Sequence, residues 1–138
     1  MVVFLDTNVI LDAYFERPAH GEAAGKVMNL CATKRITGCV STGVLADTVF
    51  IAQHIIKSED HRKIIPFLCR MFDIVSADRG CMVRAAENTD MRDFEDAIRA
   101  EEAILCGADY LVTSNVKDYK KSAVKAITPE DFLEKTNN

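Results

Sequence analysis

The chain has 138 residues, a length suited to one domain around one hydrophobic core. Hydrophobic residues make up 49% and charged residues 28%, which matches a soluble globular protein and excludes a disordered or fibrous one. A net charge of −4, from 17 basic and 21 acidic residues, argues against a protein that grips duplex DNA through phosphate contacts alone; it leaves room for a nuclease whose gathered carboxylates are offset by divalent ions.

No apolar run approaches the roughly 20 residues that a membrane helix needs. Met1 to Leu5 runs straight into Asp6 with no basic leader, so the start reads as a strand and not as a signal peptide. Cys31, Cys39, Cys69, Cys81 and Cys106 are odd in number and widely scattered, which fits small buried side chains in a reducing cytoplasm rather than disulfides or a zinc knuckle. His20, His54 and His61 form no ligand pair on one helix face. The expectation is a cytoplasmic protein with no membrane partner, one domain over 1–135 and a loose tail at 136–138.

Short apolar runs, mostly β-branched or aromatic, predict strands at Val2–Leu5, Ile36–Val40, Phe72–Val75, Tyr110–Thr113 and Val124–Ile127. Between them lie stretches with helical spacing. Residues 19–33 carry Ala23, Val27, Leu30 and Cys31 on a stripe, and 42–57 carry Val44, Leu45, Thr48, Val49, Ala52 and Ile56. Ile64, Ile65, Leu68 and Met71 share a side of 59–71, while Phe94, Ala97, Ile98 and Leu105 share a side of 93–106. Gly107 ends that helix, and Thr128-Pro129 opens a last short one. Strands alternating with helices predict an α/β fold on a mainly parallel central sheet of about five strands. In such folds ligands bind beyond the carboxyl ends of the strands.

The acids fall at that edge. Asp6 follows the first strand. Asp47 lies in the helix after the second, in largely apolar surroundings that make an unpaired charge expensive. Asp93 and Asp96 open the helix before the fourth strand and share a face by their offset of three. Asn115 and Asp118 follow that fourth strand. Taken singly, each has an ordinary reading: Asp6 and Asp93 as helix caps, Asp96 as a first-turn acid, Asp47 as an exposed helix residue, Asn115 and Asp118 as turn residues. Their coincidence on one edge points instead to a shared pocket. Carboxylates pressed together repel one another, and a hard divalent ion such as magnesium removes that cost while polarising a phosphoryl oxygen and activating a water. No nucleophilic Ser or Cys has a paired His, so the metal would carry the chemistry.

Val3-Phe-Leu-Asp-Thr-Asn-Val-Ile-Leu11, Asp93-Phe-Glu-Asp-Ala97 and Gly107-Ala-Asp-Tyr-Leu-Val-Thr-Ser-Asn115 together resemble the PIN domain family, which includes the VapC-type toxin ribonucleases. The resemblance spans essentially the whole chain. It implies an RNase H-like three-layer α/β/α sandwich and a Mg2+- or Mn2+-dependent endoribonuclease that hydrolyses RNA. On that resemblance Asp6, Asp47 and Asp96 are the first, second and third metal acids, with Asp93 as a supporting one. Thr113 is the family's hydroxyl residue, and Asn8 the residue that orients Asp6. Asn115 and Asp118 complete the catalytic set. Two positions depart from the family: Asp47 where glutamate is commoner, and Asn115 where many relatives carry aspartate, a role that then passes to Asp118. The resemblance also implies a homodimer and an antitoxin partner.

Phe4, Phe94 and Phe132 are expected in the core. Arg79, Arg84, Arg92, Lys117, Lys120 and Lys121 flank the acidic segments and could hold phosphates, but read first as scattered solvated charges and are not counted in the site. A haloacid dehalogenase phosphatase also opens on a strand and an aspartate, but wants a second aspartate where this chain has Asn8. The non-enzyme alternative is a catalytically weakened PIN fold that binds nucleic acid or protein.

Overall fold

The computed structural model describes residues 1–137. The run Val2–Leu5 forms β1, and Val3, Phe4 and Leu5 are fully buried, as a strand covered on both faces requires. β2 (Thr37–Ser41) and β3 (Asp73–Val75) extend the sheet to one side of β1. β4 (Tyr110–Val112) and β5 (Ala126–Ile127) extend it to the other. The order is β3-β2-β1-β4-β5, and every pairing is parallel. The expected mainly parallel sheet is therefore parallel throughout.

Parallel neighbours need crossover connections, which are right-handed almost without exception. From β1 the chain moves to β2 and β3 through α1 (Thr7–Tyr14), α2 (Gly21–Ala32), α3 (Thr42–Ile55) and α4 (Ile65–Met71). It returns to β4 through α5 (Arg79–Glu87) and α6 (Phe94–Leu105), and α7 (Pro129–Thr136) follows β5. Reversing the direction of travel puts the returning helices on the opposite face. α1 packs on α2 and α3, α2 on α7, and α5 on α6, while α6 lies along β2 and β4. Seven α-helices among the described residues thus flank one sheet, an α/β/α sandwich of the kind the resemblance implied. None is long and apolar enough to cross a membrane.

Four details differ from expectation. The helix expected over 59–71 opens as a 3-10 turn, His61–Ile64, and becomes α-helical only from Ile65, where Pro66 fits the first turn because no amide donor is needed there. α5 was not anticipated, because it buries only Cys81 and Ala85 and carries no stripe of large apolar residues. Phe94 and Leu105 are 48% and 44% exposed, so Phe94 is not a core residue like Phe4 and Phe132. The buried face of α6 is instead Ala97, Ala100 and Ala103 with Arg99 and Glu102. At the end of the chain Thr136 closes α7, its hydroxyl donating to the Leu133 carbonyl at 3.0 Å; Asn138 lies outside the described residues.

The topology creates a switch point. β1 leads to one side of the sheet, and β4, its neighbour, leads to the other. The crevice beyond the carboxyl ends of β1 and β4 is where such a sheet binds ligands. Asp6 ends one of these strands and Thr113 the other.

Candidate active site

Asp6 is the N-cap of α1, with extended backbone and Oδ1 accepting from the Thr7 amide at 2.8 Å. The other oxygen, Oδ2, accepts from Asn8 Nδ2 (3.2 Å), Thr113 Oγ1 (3.0 Å) and Tyr119 Oη (3.1 Å). Four donors fix this buried carboxylate in one orientation. Thr113, itself fully buried, spends its single proton on Asp6 and accepts from Asn8 Nδ2 (3.2 Å) and the Asn115 amide (3.1 Å), so its hydroxyl is fully used. Asn8 completes the lattice by accepting from the Ser114 amide at 3.1 Å. The turn after β4 is thereby tied to the end of β1.

Asp96 sits in the first turn of α6, whose N-cap is Asp93. Asp93 Oδ1 accepts from the Asp96 amide at 3.0 Å, so that exposed carboxylate caps the helix. Tyr119 Oη lies 3.3 Å from Asp96 Oδ1 as well as 3.1 Å from Asp6 Oδ2. Burial first, then the charges of Asp93 and Asp6, push the Asp96 carboxyl up to about 6, against the pull of the Tyr119 hydrogen bond; Asp118 adds to the rise. Burial and the same two carboxylates push the Tyr119 phenol strongly upward, so it remains a neutral donor.

Asp47, half-buried on α3, faces α6. Its Oδ2 accepts from Arg99 Nη2 at 2.6 Å, and Arg99 Nη1 donates to the buried Glu102 at 2.9 Å. Gly43, in the first turn of α3, leaves room for the guanidinium: a Cβ there would come within 2.9 Å of Arg99 Nη1.

Asp6, Asp47, Asp96 and Asn115 line one cleft of about 320 Å³, together with Arg17 and Arg99. Four distant segments therefore meet at the switch point. Asp93 and Asp118 do not line the cleft; both are exposed and reach it through their charges on Asp96. A larger hollow of about 1190 Å³, near Arg35 and Lys135, contains none of these acids. Besides Arg99, the cation at the cleft wall is Arg17, anchored to Asp12 at 3.2 Å, and not one of the flanking basic residues considered from sequence. Sequence reasoning missed Arg99, Glu102 and Tyr119. The only signal for the first two was an Arg and a Glu three apart on the alanine-rich side of α6.

The donor set suits a hard divalent ion. The cleft offers carboxylate and amide oxygens, without His or Cys. A raised Asp96 beside Asp6 and Asp93 is the electrostatic cost that a cation would relieve. Among the described residues no three His, Cys, Asp or Glu side chains form a ready-made ligand group, so waters and a substrate phosphate would complete the shell, as magnesium commonly requires.

An all-parallel sheet in this order, with acids at its switch point, defines a PIN-like α/β fold. A family model described as PIN domain matches residues 2–117, and the chain belongs to the PIN domain family. No curated protein sequence matches it. Among solved structures it is similar to VapBC2 from Rickettsia felis bound to a fragment of promoter DNA, at 25% identity, TM-score 0.69, covering 93% of this chain and 98% of that one. FitAcB from Neisseria gonorrhoeae matches at 16% identity and TM-score 0.71, covering 93% and 98% of the two chains. Mycobacterium tuberculosis VapC20, a toxin that cleaves the sarcin-ricin loop, matches at 18% and 0.61, covering 79% and 86%. The last two likenesses establish the fold alone.

Proposed function

We propose that this chain is a Mg2+- or Mn2+-dependent endoribonuclease that hydrolyses RNA phosphodiester bonds, and that it acts in the cytoplasm as the toxin of a toxin–antitoxin pair. The observation that carries the reading is the meeting of Asp6, Asp47, Asp96 and Asn115 in one cleft at the sheet's switch point. Membership in the PIN family and likeness to the R. felis VapBC2 complex support it.

Asp6 and Asp96 are the residues best placed to hold the ion, with Asp47 and Asn115 at the rim. When bound, the ion supplies positive charge to a phosphoryl oxygen and acidity to an attacking water. The remaining work belongs to the chain. Asn8, Thr113 and Tyr119 hold Asp6 in a single rotamer, so its charge is aimed before substrate arrives. Asp93 caps α6 and fixes the height of Asp96, and its charge, with that of Asp118, raises the proton affinity of Asp96. Arg17 at the cleft wall offers a fixed cation to a phosphate.

Large apolar side chains remain exposed on the packed pair α5 and α6 (Met82, Val83, Phe94, Ile104, Leu105), and a second copy covering them would give the homodimer. An apolar groove of about 380 Å³ between α1, α2 and α4 offers an antitoxin segment a separate place to dock. The other reading, a weakened PIN fold that only binds, draws on Asn115 and on the pairing of Asp47 with Arg99.

The test is RNA incubated with the purified chain in magnesium or manganese. Cutting that stops with chelator and is absent from Asp6→Asn and Asp96→Asn supports the nuclease. Cutting that survives all three contradicts it.

A further inference from the structure

We propose that Arg99, anchored by Glu102, is a positioning residue that pins one oxygen of Asp47 so that the other faces the cleft as a ligand. The proposal rests on the reading of Asp47 as part of a metal site. Three observations carry it. Arg99 is almost wholly buried, yet it lines the cleft and spends two different nitrogens on two different carboxylates. Glu102 is 2% exposed, so its charge is balanced by Arg99 and the inner half of the triad is neutral. The contact to Asp47 is the outer half: Oδ2 is held at 2.6 Å, and among the described residues no side-chain hydrogen bond engages Oδ1.

A guanidinium is suited to this because its nitrogens form a rigid planar fork, and an ammonium could not hold both partners in fixed geometry. Aspartate is one methylene shorter than the glutamate commoner at this position. Its reach toward the cleft therefore depends on where the helix and its partners place it. α3 starts with Gly43 against the guanidinium, and α6 turns an alanine-rich face toward the sheet; both allow the close approach that brings Arg99 under Asp47. The net charge of Arg99, Glu102 and Asp47 is −1, so the triad still presents one negative charge to the cleft.

Neutralising Arg99 and Glu102 together removes one positive and one negative charge, so charge alone predicts little change in metal binding. Removing a positioning partner should loosen it, by roughly 10- to 100-fold for partners of this kind. Manganese binding to the full chain, measured by calorimetry without RNA, separates the two.

Arg99→Met is made together with Glu102→Gln, so that no unpaired charge stays buried, and circular dichroism checks the fold. The expected result is manganese affinity at least about tenfold weaker than wild type, with Asp47→Asn weaker to a similar degree and the triple variant no weaker than either. Affinity equal to or tighter than wild type in the Arg99/Glu102 variant, with Asp47→Asn weakened, overturns the positioning role and leaves the metal site standing. Affinity unchanged by Asp47→Asn overturns both that role and the reading of Asp47 as a ligand. Arg99→Lys, which keeps the charge, is expected to bind manganese as weakly as the neutral variant; wild-type affinity there contradicts the need for a fork.

Discussion

Asp6 and Asp96 share one hydroxyl. Tyr119 Oη stands 3.1 Å from the first carboxylate and 3.3 Å from the second, and it has a single proton to give. Both carboxylates draw on that one donor, and its hydrogen bond to Asp96 favours the ionised form there. Two carboxylates thus meet over one donor, and on the proposed function a divalent ion at the cleft would relieve their mutual repulsion.

Tyr119→Phe removes that hydroxyl while keeping the ring. Asp6 retains Thr7, Asn8 and Thr113, but Asp96 loses the hydrogen bond that holds its carboxyl down, so its proton affinity should rise above the present value of about 6. In a pH–rate profile at fixed, subsaturating metal, the acid limb should move upward. Stability should fall by about 1–3 kcal/mol, the usual cost of a deleted buried hydrogen bond. An unmoved acid limb would show that Tyr119 does not touch the titrating group.

The raised Asp96 also makes a stability prediction. Its carboxyl titrates near 6 when folded and near the ordinary 3.8 when unfolded. Below about pH 4 both states hold the proton and the group contributes no difference. Between there and about 6 the folded chain keeps a proton that the unfolded chain releases, so stability falls as pH rises, and above 6 the penalty is complete. Asp96→Asn should therefore raise the melting temperature at pH 8 in metal-free buffer, with the gain fading toward pH 4, even as cleavage is lost. A gain independent of pH would assign the effect to something other than this carboxyl.

Gly43→Ala probes the close approach of α3 to Arg99. At an unobstructed helical position this change stabilises by about 0.5–1 kcal/mol. Here the new Cβ would stand 2.9 Å from a guanidinium held by two carboxylates. The expected outcome in thermal melts is a net loss of about 1 kcal/mol, as a charge-assisted hydrogen bond outweighs the helix propensity. A stabilised variant would mean that Arg99 yields freely.

The sheet was legible because its strands are compact β-branched and aromatic runs, and Asp6 marks the end of the first without ambiguity. Gly107 was legible for a local reason: it takes φ +68 at the end of α6, where a side chain is disfavoured. The misses are tertiary. Tyr119 reaches Asp6 across 113 residues and Arg99 reaches Asp47 across 52, and no periodicity records such partnerships. Phe94 looked like a core residue because α6 has an apolar stripe. The alanines bury themselves instead, which brings the helix close enough to enclose Arg99 and Glu102.

The most direct test of the account asks whether a cation sits where these acids meet. Free Mn2+ can be followed by electron paramagnetic resonance as the ion is titrated into the wild-type chain and into Asp6→Asn. The account predicts binding by the wild type and an affinity at least about tenfold weaker in the variant. Equal binding by the two, or none by either at millimolar metal, would contradict it.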